Sequence, residues 1–459
     1  MSLQDGQSQL DSVSLTAQGA AGPITNWESF SLSRRFLDPC QHWSFTLDLS
    51  DPTVIQQGSA GALIPGTPVQ IAVNGLPQCT GFIEVQRVDT STSGGNRLTI
   101  SGRDILGPVV KSTVDPSYAI STSTTLTLFL QTLLAPYGIG GLWNSDLPNL
   151  AILTGLPPGA SGPPVGSPVA ALSIVGTPKA GTSVSSNAVP QRPDLTTITI
   201  LQAKPHAGEG VYAYCDRLLK RLGLAMWAMA DGSGVVIDAP YYDGTASQQI
   251  THYPSSTVSA QNNVISGSVE WDMTEQPSVI VATGFGSGPG ASQNQSTTRS
   301  KLRVIKVNEL CGFVAGPGGE GSTPLQGVQD ILTKYPNSDV LPPNPNLLQL
   351  PVSSVFTLAE PFFDKDDEAK TQAQLEAFVC REMGRRQARA LRLSYVVKGL
   401  TSDGTTPWAV NTKVTVNDAV FNIQQPMWIM EREFRKDFGS GTQTHLKLIR
   451  PYCLVIGPS

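Results

Sequence analysis

Charge is scarce in this chain: Asp, Glu, Lys and Arg make up 15 % of its 459 residues, 31 basic against 36 acidic, for a net charge of −5. So mild a balance excludes a surface that attracts nucleic acid as a whole. So few charges also fit faces that partner subunits cover. Cysteine is sparse as well. The six, at positions 40, 79, 215, 311, 380 and 453, show neither CxxC spacing nor the density of a disulfide scaffold, so reduced, buried thiols are expected. No apolar run reaches the ~18 residues of a spanning helix, and MSLQDGQSQLDS at the amino terminus has no basic patch followed by an apolar core. Membrane insertion and secretion are not expected, and a cytoplasm is the expected site of synthesis.

Recognisable catalytic patterns are missing too. His42, His206, His252 and His445 stand without a second histidine at metal-ligand spacing. GEGVYAY and GFGSGPG contain no Lys-Ser or Lys-Thr pair for a phosphate loop, and there is no GxSxG elbow. The paired acids Asp364/Asp366 and Asp367/Glu368 resemble a glycosidase pair only in spacing. At the start of a predicted helix they favour its positive end instead. No catalytic, cofactor-binding or metal site is expected, and the chain is not expected to be an enzyme.

Alternating strands are what the chain does contain. SVSLTA, WSFTLDLS, PVQIAVNG, TGFIEVQRV and NRLTISGR alternate with period two and are separated by Asn74-Gly75 and Gly94-Gly95 turns, which predicts a small antiparallel barrel over 1–113. From 114 to 258 the pattern predicts an α/β domain. Leu126, Phe129, Leu130, Leu133 and Leu134 fall at helical spacing, with Ser123 as the cap. A second helix is predicted over Glu209 to Leu222, with Val211, Cys215, Leu218, Leu219 and Leu222 on one side, followed by a hairpin turning at Asp231-Gly232. A Pro/Gly-rich insertion spans 140–205, and a second such stretch spans 310–351. Alternation resumes in NVISGSVEWDM, SVIVATGFG and KLRVIKV, which places a second β-barrel over 259–365 and 391–459, with a helix over 366–390 inserted in it. The expected class is mainly β with α+β.

The two barrels look like copies. PVQIAVNG recurs as KVTVNDAV, FIEVQRV as WIMEREF, and SGGNRLTISGR as GSGTQTHLKLIR. Val69 to Val414 is an offset of 345, Ile83 to Ile429 one of 346 and Leu98 to Leu446 one of 348, which predicts two residues entering at a turn. Val69, Ile71, Val73, Ile83, Leu98 and Ile100 are the expected core of the first copy. Val414, Val416, Ile429, Leu446 and Leu448 are that of the second. A trimer of such a chain presents six similar faces to a six-fold partner.

Arg381, Arg385, Arg389 and Arg392 form a row on the inserted helix and are candidate subunit contacts, weighed against a solvated basic face. Trp227, Trp271 and Trp428 fall within alternating strands and are expected in the core. Trp408, Tyr241 and Tyr242 follow strands and are further candidate contacts.

The order of these segments resembles a known family. A barrel ending in LTISGRD, then GEGVYAYCDRLLKRLGLAMWAMADGSGVVID, a long helix before LRLSYVVKG, and PWAVNTKVTVND to THLKLIRP resemble the tail-hub or baseplate-hub proteins of Mu-like contractile-tailed bacteriophages. The hub portion of type VI secretion spike proteins is similar. The resemblance covers the chain apart from 140–205 and 310–351. It implies a virion structural protein of the tail baseplate, assembled in the host cytoplasm. The expected form is a homotrimer joining the six-fold tail tube to the three-fold central spike around an axial channel. Implied partners are the tube ring, the spike, other baseplate proteins and the tape-measure protein, with transient DNA passage. The alternative is a host-surface carbohydrate-binding adhesin or receptor-binding β protein.

Overall fold

The computed structural model describes residues 11–20, 22–49, 62–91, 95–117, 125–137, 151–154, 204–220, 224–238, 240, 246, 248–254, 262–286, 300–314, 323–343, 360–366, 372–437 and 441–454. Ser123, Tyr241 and Tyr242, the Gly94 turn and most of the 140–205 insertion lie outside them.

In chain order, six strands come first: β1 (Val13–Ala17), β2 (Ser29–Arg35), β3 (His42–Asp48), β4 (Pro68–Val73), β5 (Leu76–Ser91) and β6 (Gly95–Asp104). Helices α1 (Gly107–Lys111) and α2 (Leu126–Leu134) follow, then β7 (Ala151–Thr154), α3 (Val211–Lys220), β8 (Ala225–Ala228), β9 (Gly234–Asp238), β10 (Gln248–His252) and β11 (Val264–Trp271). The next elements are β12 (Val279–Gly286), β13 (Ser300–Val307), β14 (Phe313–Val314), β15 (Thr323–Pro324), α4 (Gln326–Lys334), β16 (Asp339–Leu341), β17 (Pro361–Asp366) and α5 (Gln372–Ala390). The chain closes with β18 (Leu391–Lys398), β19 (Lys413–Asp418), β20 (Ile423–Lys436) and β21 (Thr442–Ile449).

The fold is mainly antiparallel β and separates into two units. One comprises Met1–Leu218, Ala225–Ser268 and Leu393–Leu448; the other comprises Leu219–Leu224, Val269–Arg392 and Ile449–Ser459. A 12-stranded sheet contains both copies of the sequence repeat. Its order reads β1-β4-β5-β6-β3-β2 through the first copy and continues β20-β21-β18-β11, with β19 on β20 and β10 on β19. Numbered from its own first strand, the second copy reads β10-β19-β20-β21-β18-β11. Both copies therefore have the connectivity 1-4-5-6-3-2. They differ at the first strand, since β1 runs antiparallel to β4 whereas β10 runs parallel to β19.

Pairing fixes the correspondence between copies. Leu49 N donates to Asn96 O, and Gly399 N donates to Thr442 O. Val85 pairs with Ser101, and their counterparts Glu431 and Lys447 form an ion pair at 3.0 Å. One offset of 346 thus holds through β5/β20 and β6/β21, which corrects the 348 expected from Leu98 and Leu446. Leu98 corresponds to Thr444, fully buried, whose hydroxyl donates to Gly399 O at 2.7 Å. On β4/β19 the offset is 345, because β19 and β20 are joined by the four residues 419–422 where β4 and β5 are joined by two, and one extra residue at the register shift between Ile71 and Ala72 offsets only half of that difference. β2 and β11 correspond at an offset of 237, NWESFSLSRRF against NVISGSVEWDM. Phe30 lies opposite Phe45, and in the second copy Gly267 lies against Tyr395, whose ring a Cβ would approach to 3.0 Å.

Local sequence explains the turns. Asn74 (φ 50°) and Gly75 (φ 78°) form the two-residue turn between β4 and β5, a conformation that Asn-Gly tolerates. Thr125, rather than Ser123, caps α2, its hydroxyl accepting from Leu128 N at 3.3 Å. A three-stranded sheet, β7-β9-β8, contains the predicted hairpin.

In the other unit, β16-β13-β12-β17 form a sheet of their own. Val279, Val281, Ile305 and Val307 pack with Val328 of α4, while Ile280, Ala282 and Val304 pack with Leu375, Val379 and Met383 of α5. Alternation assigns these strands to the second barrel, and pairing corrects this. Both faces of β12 are buried, as in a sheet with helices on each side. The predicted helix start at Asp366 is also corrected: Asp364 and Asp366 lie in β17, parallel to β12, and the helix begins at Gln372.

Candidate functional site

The two copies meet where β2 pairs antiparallel with β20, with Leu32 opposite Phe434 and Arg34 opposite Arg432. Leu32 and Phe434 are 1 % and 0 % exposed. Burying each contributes about 1.5–3 kcal/mol. On the other face, Arg35 pairs with Glu431 at 3.0 Å and Ser31 donates to Glu433 at 2.7 Å.

Polar groups are enclosed beside this seam. Asp104 accepts from Gln41 N at 2.8 Å and from Leu106 N at 3.0 Å. Burial pushes its carboxyl up to about 6 against those hydrogen bonds and the nearby Arg34. Arg432 donates to Gln78 Oε1 at 2.8 Å and to Trp408 O at 2.9 Å, and lies over the Phe434 ring at 3.9 Å. With its amide oxygen toward the arginine, Gln41 accepts from Arg432 Nη2 at 3.1 Å. Burial next to Arg34 lowers the Arg432 guanidinium to about 9, so it keeps its charge at neutral pH. Arg34 donates to Ala228 O at 3.2 Å and Thr80 to Ala230 O at 2.9 Å, tying the β8–β9 hairpin to the seam. The cleft lined by Arg34, Gln78, Trp227 and Arg432 encloses 180 Å³. That is below the ~300 Å³ usual for a small-molecule site.

A second buried acid organises the other copy. Asp418 accepts from Tyr395 Oη at 2.6 Å, from His252 Nδ1 at 2.9 Å, and from Val420 N and Phe421 N at 2.8 Å each. Desolvation, then Asp418 itself, raises the Tyr395 hydroxyl far above its ordinary value. All four acceptor directions are occupied, so this is a joint for a turn rather than a free base. Arg103 donates to both oxygens of Glu84, and Lys111 pairs with the same carboxylate at 3.0 Å.

Every expected core residue is buried: Val69, Ile71, Val73, Ile83, Leu98 and Ile100, with Val414, Val416, Ile429, Leu446 and Leu448, are each at most 1 % exposed. None of the six cysteines forms a disulfide, and all are buried. Among the aromatic residues, Trp428 is fully buried, Trp227 lies 5.3 Å from Phe36, and Trp408 is 1 % exposed. Trp408 therefore packs inside its own chain, which corrects its placement as a contact. Trp271 moves the opposite way, from expected core to 60 % exposed, with the Arg450 guanidinium 5.3 Å from its ring. The α5 arginines have local acids: Arg385 and Arg386 bind Glu382 at 2.9 and 2.8 Å, and Arg389 binds Glu275. Arg392 lies on β18 rather than on the helix, which corrects its place in the row, and binds Glu270 at 2.6 Å. Arg381 donates to Lys220 O at 3.4 Å.

No family model and no curated protein sequence matches this chain. Solved structures do. A tail protein from Neisseria meningitidis MC58 superimposes with a TM-score of 0.62 at 16 % identity, covering 96 % of this chain and 97 % of that one. The 43 kDa tail protein of prophage MuSo2 from Shewanella oneidensis gives 0.61 at 14 % identity, over 96 % and 99 %. A component of the type VI secretion system of E. coli gives 0.44 at 8 % identity over 97 % and 79 %, too loose to carry an argument. The chain thus has the fold of these two tail proteins over 96 % of its length.

Proposed function

We propose that this chain is a structural protein of a phage-type tail, a homotrimeric hub that seats the six-fold tail tube on one side and holds a three-fold central spike on the other. The observation that carries it is the double occurrence of one six-strand connectivity in a single chain, joined edge to edge through β2 and β20. Three such chains place six equivalent sheets around an axis, and so match a six-fold ring while remaining three-fold themselves. The overall likeness to two tail proteins supports the setting. The work is mechanical: the buried acids Asp104 and Asp418 are occupied by hydrogen bonds that shape turns. Other baseplate proteins and the tape-measure protein complete the partners, and DNA passes through the axial channel. The protein resides in the virion tail after assembly in the host cytoplasm. Native mass spectrometry of the full chain tests this. A trimer that binds one tube-protein ring is the expected result, and a monomer that binds neither tube nor spike protein would overturn it.

A further inference from the structure

We propose that β11 of one chain pairs antiparallel with the outer half of β5 of the next chain, repeating between chains the β2–β20 joint that each chain makes within itself. This rests on the trimeric reading and specifies its joint.

Each half of that joint is already present and lacks only its counterpart. β20 has β19 along Ile423–Trp428 and β2 along Glu431–Lys436 on the same edge. Its counterpart β5 has β4 along Leu76–Phe82, but beyond Ile83 it pairs with β6 alone among the described strands. β2 has β3 and β20 as neighbours, whereas among the described strands its counterpart β11 ends the sheet order with β18 alone. One edge therefore wants a strand, and one strand wants an edge.

Exposure shows the same vacancy. Phe434 is 0 % exposed beneath β2, but its counterpart Val88 is 53 % exposed and Val85 is 55 % exposed. Val88 stands opposite Leu98, which is 1 % exposed, so it belongs to the core face and lacks only a neighbour beyond β5. On β11, Trp271 is 60 % and Ile265 48 % exposed. Long apolar edges of this kind aggregate unless covered.

Register and charge agree. Carrying Leu32↔Phe434 and Ser33↔Glu433 across by the two offsets places Val269 opposite Val88 and Glu270 opposite Arg87. Trp271 then faces Gln86, and Asp272 lies diagonal to Arg87. An apolar pair on the inner face and opposite charges on the outer one are what an antiparallel joint uses. The backbone has the right parity as well. Phe36 N donates across the seam to Met430 O at 2.9 Å, whereas Asp272 N donates inward to Ala390 O at 3.1 Å. The amides of Val269 and Trp271 therefore point to the open edge, as do those of their counterparts Leu32 and Arg34 toward β20. The contact is head to tail, so a closed ring leaves no free copy of either edge.

The test is a cysteine pair in the full chain, Arg87→Cys with Glu270→Cys, at directly opposed outer positions. The native cysteines are buried, so background crosslinking is low. Mild oxidation should give a non-reducing ladder that stops at three chains, with no crosslink in either single variant. Pairing Arg87→Cys with Ser266→Cys, four residues out of register, should give none. Val88→Asp should convert the assembly to a monomer that melts within a few degrees of the parent, because the side chain is already exposed in one chain. A trimer by native mass in which the 87/270 pair stays uncrosslinked would overturn this joint and leave the trimer standing. A monomeric parent chain would overturn both.

Discussion

Asp104 is a carboxylate whose pKa folding raises, from an ordinary 3.8 to about 6. Between those values the folded chain holds a proton that the unfolded chain has released, so stability from this group is greatest below about pH 4 and falls as pH rises toward 6. The full swing is about 3 kcal/mol. Asp104→Asn cannot titrate, so the stability advantage of the parent over this variant should shrink by about that amount between pH 4 and pH 7 in urea titrations. An unchanged difference would mean that the carboxyl is ionised throughout. A hint of the cluster is legible in the sequence: Arg432 shares strand parity with Phe434, and Asp104 with Ile100, so both charges fall on core-facing positions. What the sequence does not reveal is that residues 34, 104 and 432 converge, because no local spacing links them.

At the scale of elements, alternation identifies strands well and their partners poorly. β12 carries the continuous apolar run Val279–Ala282 of a strand covered on both faces, whereas β11 has no such run; which sheet each joins is still set by distant edges rather than by period. The offset expected between copies goes astray for a similar reason: Leu98 and Leu446 look equivalent by residue type, whereas the sheet sets hydrogen-bonded Thr444 in the place of Leu98. Ile71→Asp and Val416→Asp each bury an unpaired charge at sites 0 % and 1 % exposed. Each should cost about 4 kcal/mol or more and lose soluble protein on expression. Phe434→Ala leaves a cavity under the seam and should cost about 3–5 kcal/mol in chemical unfolding. A loss under 1 kcal/mol would mean that β2 does not close over this ring.

For the whole molecule, the second copy is interrupted between its second and third strands. The interruption begins and ends at one hydrogen bond, Asp272 N to Ala390 O at 3.1 Å. Chain ends so close need only a tight turn. Replacing Met273–Arg389 with Asn-Gly should therefore leave the 12-stranded sheet folded, as judged by circular dichroism and a cooperative melt. An unfolded product would show that the sheet depends on the excised segment. The repeat was legible because duplicated strands keep their apolar period. The insertion boundary was not, because a strand that leaves one sheet for another carries no local mark.

The continuity of β2 and β20 in one polypeptide bears on assembly. In the proposed ring, half of the joints are completed during synthesis and never depend on dilution, while the other half must be found by collision. At equilibrium the concentration of rings should therefore scale as the cube of the free chain, falling away steeply on dilution. No odd number of sectors can ever circulate in the cell.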